Sequence, residues 1–147
     1  MPAGNVLMVC LGNICRSPLA HGIFETLSQD FNVKVDSAGT ANYHSGGEPD
    51  KRSQATALNH GIDISKQRAR QFTVNDFDAF DYIYVMDRSN LRDVLALART
   101  EEDRKKVALL LGHDEVEDPY YGGHEGFEIV YKKIDNACRE IIEQWKN

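Results

Sequence analysis

Short apolar stretches alternate with amphipathic ones along most of this chain. Residues 6–10, 33–37, 82–86 and 107–111 are apolar and β-prone and too short for ordinary helices, which predicts four strands. Residues 18–27, 51–60, 74–80 and 90–98 carry helical patterning between them. A longer helix is predicted over about 125–145, where Phe127, Val130, Tyr131, Ile134, Cys138, Ile141 and Trp145 recur at steps of three and four and share one face. Gly61 after His60 is a helix stop. Strand–helix alternation with buried strands predicts an α/β fold: one three-layer domain with a four-stranded parallel sheet and helices on both faces. Two long irregular segments remain, about 38–50 and 112–124, both containing glycine, with Pro49 and Pro119. Structureless loops of that length are a usual place for function.

Composition narrows the picture. A chain of 147 residues is most economically one domain, 1–147, with enough length to bury a core. The net charge of −6 points away from nucleic acid or an anionic membrane as the main partner. Any anion must therefore be captured by a local positive site. The first basic side chain is Arg16 and the apolar run 6–11 is too short to span a bilayer, so no leader and no membrane insertion are expected. Cys10, Cys15 and Cys138 form a sparse, odd set unlike a secreted disulfide framework, and they lack partners at zinc spacing. The expectation is a cytoplasmic chain with reduced thiols, no metal and no cofactor.

The junction of the first strand and first helix carries the chemistry. It reads Cys10-Leu11-Gly12-Asn13-Ile14-Cys15-Arg16, followed by Ser17 as the expected helix cap and Pro18 as the first helical residue. Open parallel sheets bind ligands at the carboxyl ends of their strands, and Cys10 ends the first. A loop that runs into a helix N-terminus aims several peptide N–H groups and the helix dipole at one spot. Gly12 allows close approach or positive φ, and Asn13 tolerates the left-handed region. Arg16 adds a planar fork for two phosphate oxygens. A cysteine at a strand end is by itself an inert small hydrophobe; the arginine six residues on turns it into a candidate nucleophile beneath a bound phosphate. No Gly-Lys-Ser/Thr ending is present, so the target is a phosphate monoester or similar oxyanion, not a magnesium nucleotide. Displacing an alcohol or phenol also needs a proton donor, and Asp118 in Asp118-Pro119-Tyr120-Tyr121 is the candidate. Pro119 stiffens that loop, and the tyrosines offer flat walls for an aromatic ring.

These two motifs, with Asp36-Ser37-Ala38-Gly39-Thr40, Gly47-Glu48-Pro49-Asp50-Lys51-Arg52, His60-Gly61-Ile62, Ala69-Arg70-Gln71 and Met86-Asp87-Arg88-Ser89-Asn90-Leu91, resemble the low-molecular-weight protein tyrosine phosphatases over nearly the whole chain. The resemblance implies hydrolysis of phosphotyrosine and small aryl phosphates through a cysteinyl-phosphate. Cys10 would be the nucleophile, Arg16 the transition-state clamp and Asp118 the general acid. Leu11, Gly12, Asn13, Ile14 and Cys15 would form the phosphate-binding loop. Ser17 would ease departure of the Cys10 sulfur, and Asn13, Ser17, Ser37 and His60 would brace the loop. Tyr43, Tyr120 and Tyr121 would line the substrate ring, Tyr43 standing where many relatives carry Trp. Cys15 would trap an oxidised Cys10 as a disulfide, which makes the enzyme redox-sensitive, whereas Cys138 is expected in the core. Implied partners are a tyrosine-phosphorylated protein, a tyrosine kinase among the candidates, and inorganic phosphate as product. Phosphorylation of the paired tyrosines is a further implication.

Rival activities within the same resemblance are weaker. Arsenate-reducing relatives need a further redox pair of cysteines, and only Cys138 follows Cys15. Phosphoarginine-hydrolysing relatives carry Thr where this chain has Ile14, and an apolar wall suits a phenolic ester. A non-catalytic phosphate binder would have no use for Asp118, whose charge repels the anion.

Overall fold

The computed structural model describes residues 1–120 and 122–146. In chain order the elements are β1 (Val6–Cys10), α1 (Arg16–Leu27), β2 (Val35–Gly39), α2 (Lys51–Asn59), α3 (Asp76–Ala79), β3 (Tyr82–Val85), α4 (Arg88–Leu95), α5 (Glu101–Lys105), β4 (Val107–Leu109) and α6 (His124–Lys146). The strands form one parallel sheet in the order β2-β1-β3-β4. β1 is central, with Val6 beside both Val35 and Tyr82, and every residue in it is buried.

Alternation along β1 feeds two cores. Val6, Met8 and Cys10 point into a core built with Leu19, Ile23 and Phe24 of α1 and with Val130, Ile134, Cys138 and Ile141 of α6. Leu7 and Val9 point the other way, into Phe77 of α3, Ile83 and Val85 of β3, and Val94 of α4. Each such side chain removed from water contributes roughly 1.5–3 kcal/mol, so the strand that carries Cys10 is firmly anchored. Trp145 closes the first core, edge-on to Phe24 at 5.2 Å and Phe31 at 5.3 Å between ring centroids. Cys138 is fully buried there, and burial pushes its thiol well above the usual range.

Several elements depart from the sequence pattern. β2 spans 35–39 where 33–37 is predicted, because the chain enters the sheet only at Lys34, whose N–H bonds Asn5 Oδ1 and whose carbonyl accepts from Val6. The strand then runs on through Gly39, where a Cβ would stand 2.7 Å from the Leu11 carbonyl oxygen and 3.1 Å from the Asn13 nitrogen. Glycine at that position lets β2 lie directly against the loop after β1. α4 begins at Arg88, two residues earlier than predicted, because the Asp87 carboxylate caps it by accepting from the Asn90 N–H at 2.8 Å. α5 has no predicted counterpart. It has no apolar stripe and is started by Thr100, whose hydroxyl accepts from the Asp103 N–H, with three acidic residues in its first turn.

Candidate active site

The loop after β1 is held from outside by its carbonyls. Leu11 O accepts from Ala41 N, Ile14 O from Asp50 N, and Cys15 O from the Ser53 hydroxyl. Carbonyl and N–H of one peptide point in opposite directions, so the N–H groups of Gly12, Cys15 and Arg16 face away from those partners, as an anion cradle requires. Asn13 takes φ 58°, the left-handed conformation anticipated for it. Its amide fixes that shape from both ends: Nδ2 donates to Ser17 Oγ at 2.7 Å, and Oδ1 accepts from Arg70 N at 3.0 Å. Gly12 is used for close approach, not for positive φ; a Cβ there would stand 3.1 Å from the His44 ring.

Ser17 is not the helix cap. α1 starts one residue before it, at Arg16, with Cys15 in the cap position and no side-chain capping bond. The Ser17 hydroxyl is turned inward, 3.1 Å from Cys10 Sγ. Oγ accepts from Asn13, and its own proton has two acceptors in reach, the sulfur and the Ala38 carbonyl at 3.5 Å, of which the sulfur is the nearer. The early helix start therefore turns a residue suited to capping into a donor aimed at the candidate nucleophile.

Arg16 is almost fully enclosed, its side chain 3% exposed. One edge of the fork is anchored: Nη1 donates to Asp87 Oδ2 at 2.7 Å and to the Val116 carbonyl at 2.9 Å. The other edge, Nη2, lies 3.7 Å from Asp118 Oδ2. Burial opposes the charge, but the facing Cys10 sulfur, Asp87 and Asp118 outweigh it and hold the guanidinium above its ordinary pKa. Asp118 itself is tethered, Oδ1 accepting from the Tyr120 N–H at 3.0 Å.

Cys10, Leu11, Gly12, Ile14, Cys15, Arg16, Tyr43, Asp118 and Tyr120 surround one cleft of about 150 Å³, joined by His44. That volume suits a phosphoryl group with part of a ring, well below the roughly 300–1,000 Å³ of drug-sized pockets. Tyr43 and Tyr120 stand at the mouth, 73% and 36% exposed. Tyr121 lies outside the described residues. Cys15 is buried beside the loop as a free thiol, pushed up to about 12 by burial and by the charges of Asp50, Cys10 and Asp118.

Of the four residues expected to brace the loop, Asn13 and Ser17 do so and the other two have different partners. The Ser37 hydroxyl meets His21 Nδ1 at 3.1 Å. His60 bonds Glu128 at 2.5 Å and stacks on Tyr131, with centroids 3.9 Å apart. The N-terminal end of α2 abuts the loop, and His60 follows its other end, roughly 13 Å away at 1.5 Å per residue. The Asn13 Oδ1 bond goes to Arg70 instead. Sequence reasoning missed the site contacts of Asp87, Arg70 and His44. Asp87 carried a usable signal, a carboxylate at the end of β3 beside β1; His44 sits in an irregular loop and carried none.

A central parallel strand ending in a buried sulfur, with an anchored guanidinium and a loop carboxylate converging on the same small cleft, defines an α/β protein built to handle a phosphate ester. Residues 5–147 match the low molecular weight phosphotyrosine protein phosphatase family. The human low molecular weight phosphotyrosine protein phosphatase is 45% identical over 150 residues, covering 95% of this chain and 94% of the human one. The chain belongs to this family and is a phosphoric monoester hydrolase. Among solved structures, a protein tyrosine phosphatase from Entamoeba histolytica superposes with a TM-score of 0.91 at 33% identity, over 98% of this chain and 97% of that one. A Drosophila arginine phosphatase superposes with a TM-score of 0.90 at 34% identity, over 97% and 98%. No helix among the described residues is long and apolar enough to cross a membrane.

Proposed function

We propose that this phosphatase cleaves aryl phosphate esters of proteins by two successive displacements at phosphorus. The Cys10 thiolate attacks, the S–P bond forms, the P–O bond to the phenol breaks, and Asp118 gives its proton to the departing oxygen. Water then attacks the phosphocysteine, Asp118 accepts the water's proton, the S–P bond breaks and inorganic phosphate leaves. Arg16 holds two phosphoryl oxygens, and the loop N–H groups carry the charge that spreads over them in each transition state. Ser17 stabilises the sulfur as it departs. The observation that carries this reading is the Ser17 hydroxyl 3.1 Å from Cys10 Sγ, together with an Arg16 edge that faces Asp118 across the same cleft.

Ile14, Tyr43 and Tyr120 give the cleft an apolar and aromatic rim, which favours phosphotyrosine. The proposed substrate is a tyrosine-phosphorylated cytoplasmic protein, a tyrosine kinase among the candidates. The likeness to an arginine phosphatase makes phosphoarginine the second reading, which Ile14 disfavours. Cys15 serves as a resolving thiol: peroxide converts Cys10 to a sulfenic acid, the Cys15 sulfur attacks it, and water leaves as the disulfide forms. The test is hydrolysis of p-nitrophenyl phosphate at mildly acidic pH with a chelator present. Activity should survive the chelator and vanish in Cys10→Ser. Asp118→Ala should lower kcat/KM, which reports the step that expels the phenol, by about 10²–10⁴-fold for phenyl phosphate, a poor leaving group, and far less for p-nitrophenyl phosphate. Equal losses for the two esters would contradict the acid role. Faster release of phosphate from phosphoarginine than from phosphotyrosine peptides would favour the second reading.

A further inference from the structure

A general acid carried on a loop must be held at a fixed spacing from the nucleophile, since misplacement by about 1 Å can cost on the order of 10²-fold in rate. Arg52, in the first turn of α2, turns its guanidinium toward the acid loop. Nη2 donates to the Tyr120 carbonyl at 2.7 Å and Nη1 to the Gly122 carbonyl at 3.1 Å. On its other side the fork bonds both carboxylate oxygens of Asp50, through Nε at 3.1 Å and Nη2 at 3.0 Å. The guanidinium also lies over the rings of Phe127, at 4.7 Å, and Tyr120, at 5.5 Å.

Both ends of this clamp lead to the reaction centre. Asp50 N bonds the Ile14 carbonyl, so Arg52 is tied to the phosphate-binding loop. Tyr120 is gripped on both sides of its Cα: its N–H bonds Asp118 Oδ1 and its carbonyl accepts from Arg52. We propose that Arg52 is the positioning residue for Asp118, joining the acid loop to the phosphate-binding loop through the series Ile14–Asp50–Arg52–Tyr120–Asp118. Three groups on two segments, the Asp50 carboxylate and the Tyr120 and Gly122 carbonyls, meet one planar fork, which a lysine ammonium cannot reproduce. This inference rests on Asp118 acting as the acid.

The experiment compares kcat/KM, which reports expulsion of the leaving group, for phenyl phosphate and p-nitrophenyl phosphate in the parent, Arg52→Ala, Arg52→Lys, Asp118→Ala and Arg52→Ala/Asp118→Ala, with inhibition by inorganic phosphate measured alongside. Arg52→Ala should lose on the order of 10²-fold with phenyl phosphate and under about 10-fold with p-nitrophenyl phosphate, while still binding phosphate. The double variant should be no slower on phenyl phosphate than Asp118→Ala, because an acid already absent cannot be misplaced. Equal losses on both esters with weakened phosphate binding would overturn the proposal and leave Asp118 as the acid. Should Arg52→Ala not fold, Arg52→Lys decides: selectivity between the esters shifted toward that of Asp118→Ala supports the clamp, and parental selectivity overturns it. If Asp118→Ala itself loses both esters equally, the acid role fails and the role of Arg52 fails with it.

Discussion

A few side chains here each serve two partners, and their loss should be felt in more than one place. Asp87 caps α4 with one oxygen and holds Arg16 with the other. Removing it as Asp87→Ala leaves a guanidinium buried beside Val116 with less to compensate its charge. Breaking a buried pair costs about 3–5 kcal/mol, and the partial exposure of Asp87 places the expected loss near the lower figure. Urea unfolding should show a destabilisation of about 3 kcal/mol together with a large fall in kcat. A variant of parental stability would mean that the Arg16 fork is held by the Val116 carbonyl alone. At this scale the sequence was most informative where chemistry dictates residue type: Cys10, Arg16 and Asp118 converge on one cleft. It was least informative where a partner comes from far along the chain, as when Arg70 rather than His60 reaches Asn13.

Helices and strands that bury an apolar face were legible; α5 was not, because nothing in it repeats on one side. It is maintained by its ends. Thr100 caps it, and Asp103 accepts from Arg99 through both side-chain and backbone bonds, while Arg99 also reaches Asp78. The Arg99 side-chain hydrogen bond is the main reason the Asp103 carboxyl is pulled down to about 2. A carboxyl with a depressed folded-state pKa binds fewer protons folded than unfolded, so it stabilises the fold above its ordinary value near 4. That contribution fades as pH falls from about 4 toward 2. Unfolding midpoints measured across that window should drop less in Asp103→Asn than in the parent. Identical slopes would show that the Arg99 pair does not contribute. The two-residue offset of β2 has a similar lesson: its apolar signal began at Val33, but pairing begins where the backbone meets β1.

Over the whole molecule, the sheet and the loop are one construction. β1 delivers Cys10, β2 presses Gly39 against the loop, β3 delivers Asp87, and α2 brings Asp50, Arg52 and Ser53 to the loop's outer side. Gly39→Ala tests that coupling, since its Cβ would meet backbone oxygen at 2.7 Å. The expected result is a destabilisation of about 1–3 kcal/mol with a disproportionate loss of phosphate binding, because the strain falls on the loop. Full phosphate affinity in that variant would show that the loop keeps its shape independently of β2. The central claim is that phosphate passes through the sulfur of Cys10. The most direct measurement is acid quenching during turnover of an aryl phosphate, followed by mass spectrometry of the peptide that contains Cys10. A phosphate on that peptide, present in the parent, enriched in Asp118→Ala with an activated ester and absent from Cys10→Ser, is the predicted result. Turnover with phosphate on no residue, or on a residue other than Cys10, would contradict it.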